Sequence, residues 1–296
     1  MSASVERLRF GPWLMAARPA TLPAGVLPVL LATALAHGEH RARGDVALWA
    51  ALGAMAIQIG TNLFNDWADF FRGADTAERV GPMRVTQRGL IPPQRVLQAA
   101  VATFAAAASC GLFLIPIGGL PIVAVGIVSI AAGVLYTGGP YPLAYHGLGD
   151  LFVFIFFGLV ATVATYYLHT GTVSSTSVLL GAAVGFFATA ILVVNNLRDR
   201  HTDARAHKRT LAVRLGAPFS RVQYGVCLLL PYGLAVATAV QNAAWPRLLP
   251  LLSLPWVFVL LGRIGRLEGA ALNPLLGQTA RLELGYTVLM ALGLIL

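Results

Sequence analysis

The sequence predicts an all-α polytopic membrane protein, and three observations carry that prediction. Of the 296 residues, 57% are hydrophobic and only 11% charged, whereas a soluble domain carries about a quarter charged residues. Mean hydropathy is +0.73. Apolar runs long enough to cross a bilayer, about 17–25 residues each, recur from end to end.

Nine spans follow in order. Met1–Pro19 is polar and basic and leads straight into the first span, 21–37, so no cleavable signal peptide is expected. The second, 46–71, ends in a polar stretch. The third and fourth, 93–115 and 119–137, follow a basic loop and close on the punctuation YTGGPYP (136–142). The fifth is 148–170, and the sixth, 174–196, ends in a second polar stretch. The seventh, 219–241, closes on QNAAWPR (241–247), and 248–265 and 279–296 complete the set.

Charge placement orients the spans. With a cytoplasmic N-terminus, one side receives Arg7, Arg9, Arg18 and the regions 72–95, 197–221 and 262–281, which hold 18 of the 21 Lys and Arg residues. Only Arg41, Arg43 and Arg247 fall on the other side. The positive-inside rule then places the basic loops, and the polar helix ends that feed them, at the cytoplasm. The net charge of +9 is confined to juxtamembrane loops. It points to anionic lipid or an anionic substrate as partners, and not to nucleic acid. Cys110 and Cys227 lie in apolar spans without CxxC spacing or a nearby His cluster, so neither a disulfide nor a zinc site is expected.

The second span ends in NLFNDWADFFRGAD (62–75), which sets Asn62, Asn65, Asp66 and Asp69 on one side of a greasy helix. A counterpart, VNNLRDRHTDARAHKRTLAVRLG (194–216), ends the sixth. The first reads Asn65-x-x-x-Asp69-x-x-x-Gly73 and the second Asn195-x-x-x-Asp199-x-x-x-Asp203. Steps of four stack side chains on one face, a turn apart. Asp66 and Asn196 each lie three residues before the stripe's aspartate. The two helices are four spans apart and run toward the same membrane face. The chain, 1–296, therefore reads as a single domain with a weak parallel internal repeat at 62–90 and 194–216. Basic residues follow each motif: Arg72, Arg79, Arg84 and Arg88 after the first, and Arg205, Lys208, Arg209 and Arg214, with Arg198, around the second.

Carboxylates near a bilayer repel one another and need a cation. With no His or Cys in either stripe, hard oxygen donors suit Mg²⁺, which is held by one or two carboxylates plus substrate phosphates. Arg and Lys beyond the stripes supply phosphate donors. Interfacial anchoring and surface salt bridges also explain one such stripe; two of matching spacing at one face favour a shared Mg²⁺–diphosphate.

At these motifs the sequence resembles the UbiA superfamily of intramembrane aromatic prenyltransferases, within it the branch that acts on 1,4-dihydroxy-2-naphthoate in menaquinone synthesis. The resemblance runs from AARPATLPAGVLPVLLATALA (16–36) through NDWADFFRGADTAERVGPMRVTQRGLI (65–91), YTGGPYPLAYHGLGDLFVFIFFGLVAT (136–162) and NNLRDRHTDARAHKRTLAVRLG (195–216) to LNPLLGQTARLEL (272–284). GPMR and KRTLAVRLG favour the naphthoate branch. The resemblance implies nine helices around a central cavity, the motifs facing each other across its cytoplasmic mouth, in a bacterial plasma membrane. It implies Mg²⁺-dependent transfer of a polyprenyl chain from its diphosphate to the naphthoate, with loss of carbon dioxide to give a demethylmenaquinone. The branch commonly has Gly where this chain has Gly73, then Asp two residues on, here Asp75. His201 and His207 depart from it, standing where Glu and Gly are usual.

On this reading Asn65, Asp66, Asp69, Asp199 and Asp203 form the metal cage, the four aspartates being the catalytic candidates, with Asp75 contributing from the loop. Arg72, Arg84, Lys208 and Arg209 clamp phosphate oxygens and Asn196 donates an amide, donors placed where leaving-group charge grows. Lys208 is the only lysine in the chain. Tyr136, Tyr141 and Tyr145 either face the allylic cation or form an interfacial belt. Asp150 either binds ring hydroxyls or caps its helix. The rival readings are a 4-hydroxybenzoate or homogentisate prenyltransferase, a secondary transporter and, more remotely, a phosphatidyltransferase.

Overall fold

Inside a bilayer, backbone N–H and C=O groups find no water and must pair within their own segment, and every long apolar run here is helical. The computed structural model describes residues 10–73 and 80–296, and no strand occurs among them. A short helix, α1 (Phe10–Ala17), precedes α2 (Leu22–Gly38). The sequence reading did not anticipate α1. It breaks at Arg18, which adopts φ 54° just before Pro19, whose ring disfavours the right-handed helical region for the residue ahead of it.

Next come α3 (Gly44–Phe71) and α4 (Pro93–Leu135). As one straight rod, the 43 residues of α4 would measure about 65 Å, roughly twice the hydrocarbon thickness. The chain instead reverses at Gly119 (φ 65°, ψ −155°), between Pro116 and Pro121. Packing against α3 traces the reversal. Gly60 and Thr61 meet Phe104 and Gly133. Farther along, Trp49 stacks on Phe113 at 4.1 Å, and Val46 and Ala50 share a cluster with Leu114 and Ile122. The two limbs of α4 therefore run antiparallel, as the spans 93–115 and 119–137 predict.

The remaining helices are α5 (Gly149–Thr170), α6 (Ser175–Arg205), α7 (Leu211–Gln241), α8 (Trp245–Ile264) and α9 (Asn273–Ile295). α5 widens into a π turn at Phe154–Val160, where Gly158 packs directly on the backbone of Gly181 and Gly185 in α6. Small residues at such a contact let membrane helices approach closely. Seven helical segments among the described residues are long and apolar enough to cross a membrane. Counting α4 twice and adding the more polar α9 gives nine crossings, so the chain is an integral membrane protein.

The main core joins α2 with α6–α9 around Phe187, Tyr224, Leu228, Tyr286 and Met290. Its tyrosines bury their rings with the hydroxyls bonded: Tyr224 to Thr279 at 2.7 Å, Tyr232 to Ser253 at 2.8 Å and Tyr286 to the Pro231 carbonyl at 2.7 Å.

Contacts between helix ends define two faces. At one, Arg41 donates to the Thr170 carbonyl, the Arg43 amide to His169 Nδ1, and Asn242 to Thr176. At the other, Asn62 donates to the Ala17 carbonyl, Arg198 meets Asn273, and Asn273 reaches Val80. Both acidic motifs lie at this second face, and Arg41, Arg43 and Arg247 lie at the first, matching the charge partition read from sequence.

Candidate active site

The polar stripe ending α3 is buried because loops from elsewhere in the chain close over it. Asn62 donates to the Ala17 carbonyl and to Thr21 Oγ1, both at 3.0 Å, tying α3 to the start of α2. Asn65 Oδ1 accepts from Thr137 at 2.7 Å. Asp66 accepts the backbone N–H groups of Val85 and Thr86 at 3.2 and 3.0 Å. Asp69 accepts from Arg84 at 3.0 Å and from the Tyr145 hydroxyl at 2.8 Å. Arg72, on the exposed end of the helix, donates to the Gly139 carbonyl at 2.6 Å.

The second motif ends α6. Arg198 forks Asp199 through Nε and Nη2 at 2.8 and 2.6 Å. Lys208 Nζ lies 3.7 Å from Asp203. The turn that carries Lys208 is set by the backbone: the Lys208 N–H bonds the Asp203 carbonyl and the His207 N–H bonds that of Ala204. This is the paired C-terminal lock of an α-helix, which needs a left-handed residue at its second position. His207 fills that position with φ 55°, so a glycine there is the sterically natural residue.

Tyr145 joins the two motifs. Its hydroxyl bonds Asp69, while the Arg72 guanidinium and the Lys208 ammonium lie 5.5 and 5.7 Å from its ring centre, within cation–π range. The Arg209 amide bonds the Tyr145 carbonyl at 3.0 Å. Tyr136, just past the end of α4, carries its hydroxyl against Gly149, one residue before Asp150.

Beside this hub, Tyr136, Asp150 and Asn196 line a crevice with Gly147, Gly149 and Thr210 that is too tight to admit even a water molecule. Asp150 stands in the first turn of its helix, where a carboxylate meets the helix dipole, and it also accepts from Gln223 at 3.1 Å. Tyr141 is exposed and stacks on His146 at 3.5 Å. The Arg209 side chain is exposed. His201 is exposed too and contacts Arg200 at 3.0 Å. Asp75, Arg79, Arg7 and Arg9 lie outside the described residues. Sequence reasoning passes over Thr137, Gln223 and Asn273, since each is a single polar residue without period whose partner comes from a distant segment.

The donors fit a hard cation held jointly with substrate. All are carboxylate or amide oxygens. Among the described residues, no three acidic, His or Cys side chains close around a common point. The oxygen donors themselves are of the kind Mg²⁺ takes, one or two carboxylates plus phosphate oxygens and waters. Each carboxylate offers about four acceptor directions. Asp66 and Asp69 each show two occupied by protein donors, so capacity is left for an ion.

Comparison with known proteins decides the lineage. Residues 25–271 match the model of the UbiA prenyltransferase family. The chain belongs to the UbiA prenyltransferase family. It is 42% identical over 233 residues (77% of this chain, 80% of the relative) to 1,4-dihydroxy-2-naphthoate octaprenyltransferase of Mycobacterium tuberculosis. It is 35% identical over 307 residues (98% and 97%) to the protein of the same name from Haemophilus influenzae. A UbiA homolog from Archaeoglobus fulgidus, solved with DMAPP and Mg²⁺, shares the fold with a TM-score of 0.65 at 14% identity, covering 94% of this chain and 98% of that one. As a UbiA prenyltransferase, the chain carries its two acidic motifs at one face, joined through Tyr145.

Proposed function

We propose that this UbiA prenyltransferase transfers a polyprenyl chain from its diphosphate to 1,4-dihydroxy-2-naphthoate, with Mg²⁺, in a bacterial plasma membrane, the N-terminus and the motif-bearing face being cytoplasmic. The acceptor follows from the relatives' names and from the segments 81–84 and 208–216. One observation carries the site: Asp69 and Lys208, from motifs far apart in the chain, meet on opposite parts of Tyr145.

Asp66, Asp69, Asp199 and Asp203, with Asn65, hold the metal directly or through water. Bound Mg²⁺ supplies Lewis-acid neutralisation of the charge that grows on the departing diphosphate. Arg72, Arg84 and Lys208 face the phosphate oxygens, with Arg209 and Asn196 at the margin, and hold that charge in a preorganised site. The allylic C–O bond breaks with its electron pair going to the diphosphate oxygen. A ring carbon of the naphthoate donates a pair to the allylic carbon, and the ring carboxylate leaves as carbon dioxide. Exchanging a prenyl cation for carbon dioxide in this way needs no net proton. Tyr136 and Tyr145 offer ring faces to the allylic cation, and Asp150, oriented by Gln223, accepts a hydroxyl of the ring.

Mass spectrometry of products from the purified chain with Mg²⁺, farnesyl diphosphate and the naphthoate tests this. The expected product is farnesylated and decarboxylated. Prenylation of 4-hydroxybenzoate or homogentisate in preference to the naphthoate would overturn the acceptor assignment.

A further inference from the structure

Arg198 is fully buried, and its guanidinium is engaged on every side. Nε and Nη2 fork the oxygens of Asp199, Nη2 also reaches Asn195 Oδ1 at 2.7 Å, and Nη1 donates to Asn273 Oδ1 at 3.1 Å. Asn273 passes the connection on, donating to the Val80 carbonyl at 3.2 Å. The next residue, Gly81, lies so close to the guanidinium that an added Cβ would collide with it. The segment that begins there returns to the first motif, where Arg84 pairs with Asp69 and the amides of Val85 and Thr86 bond Asp66. One stretch of backbone is thus pinned by the second motif at its start and by the first motif further along.

We propose that Arg198 is a positioning residue: it fixes segment 80–91 between the two acidic motifs and so sets where Arg84 stands relative to the diphosphate. This rests on the functional reading above. The planar fork explains why arginine is used. Its donors leave in fixed directions, so one group grips Asp199 on one edge and Asn273 on the other. A lysine ammonium, a single point charge, cannot serve both edges. Arg198 itself faces protein on all sides, which makes its effect indirect.

The test is Mg²⁺-dependent binding of farnesyl diphosphate by isothermal titration calorimetry to the full chain in detergent. KM for both substrates and the melting temperature are measured alongside. Arg198→Lys is expected to weaken farnesyl diphosphate binding about tenfold, the worth of a charge-assisted hydrogen bond, with the naphthoate KM unchanged. Asn273→Ala, which loosens the same link without touching Asp199, is expected to weaken it by about threefold, the worth of a neutral hydrogen bond. Combining Asn273→Ala with Arg198→Lys adds little more, because both break one connection.

A purely structural role would lower the melting temperature and leave the affinity of the folded fraction unchanged. That result, or an equal rise in the naphthoate KM, overturns the proposal. Should Arg198→Lys not fold, Asn273→Ala decides on the same criterion. A wild-type chain that binds farnesyl diphosphate but prenylates no naphthoate would overturn the functional reading, while the binding comparison still decides the role of Arg198.

Discussion

Asp69 and Arg84 sit side by side with 3% and 5% of their side chains exposed, and a buried carboxylate is costly unless its lone pairs are met. The Tyr145 hydroxyl meets one of them, and its ring gathers the cations Arg72 and Lys208. Lys208 also holds Asp203, so it stands where a diphosphate would compete for its charge. Lys208→Ala is predicted to raise the apparent KM for prenyl diphosphate about tenfold, with less effect on the naphthoate KM; steady-state kinetics with each substrate varied separately checks this. The residues of both stripes were legible in the sequence, since a period of four on a helix leaves few other readings for Asn65, Asp69, Asp199 and Asp203. Their partners were not. Thr137, Tyr145 and the amides of Val85 and Thr86 come from loops whose path depends on the packed bundle. For the same reason Tyr136, Tyr141 and Tyr145, equivalent on paper, part company: one lines the crevice, one stacks outside on His146, one links the motifs.

At the scale of elements, apolar length alone located nearly every span, because a bilayer admits one backbone solution for such runs. It was silent on what happens within them. The π turn at Phe154–Val160 leaves no mark on a run that is apolar all round, and α1 was hidden in a segment read as polar. The end of α6 is more instructive. A glycine at position 207 is usual in the family the sequence resembles, and the backbone supplies the reason: the left-handed φ of 55° at His207 strains any residue with a Cβ. His207→Gly is therefore predicted to stabilise the folded chain by about 0.5–1 kcal/mol, read as a raised unfolding midpoint in detergent. A lower midpoint would mean that the imidazole makes a contact worth more than the strain.

For the molecule as a whole, the two faces differ in kind. Among the described residues, one carries both acidic motifs and most of the basic side chains, while the other holds Arg41, Arg43 and Arg247. If the motif face is cytoplasmic, Arg88→Cys in intact cells should resist a membrane-impermeant maleimide until the membrane is opened, and Arg43→Cys should react from outside. The reverse pattern would invert the proposed topology. The measurement that bears most directly on the site is a double-mutant cycle on farnesyl diphosphate binding with Mg²⁺, using Asp69→Asn, Asp203→Asn and the two combined. With both motifs gripping one headgroup, the wild type binds a single equivalent and each variant weakens binding by about tenfold or more. The combined loss then falls well short of the sum of the separate free energies. Two equivalents bound per chain, or losses that simply add, would contradict a shared site.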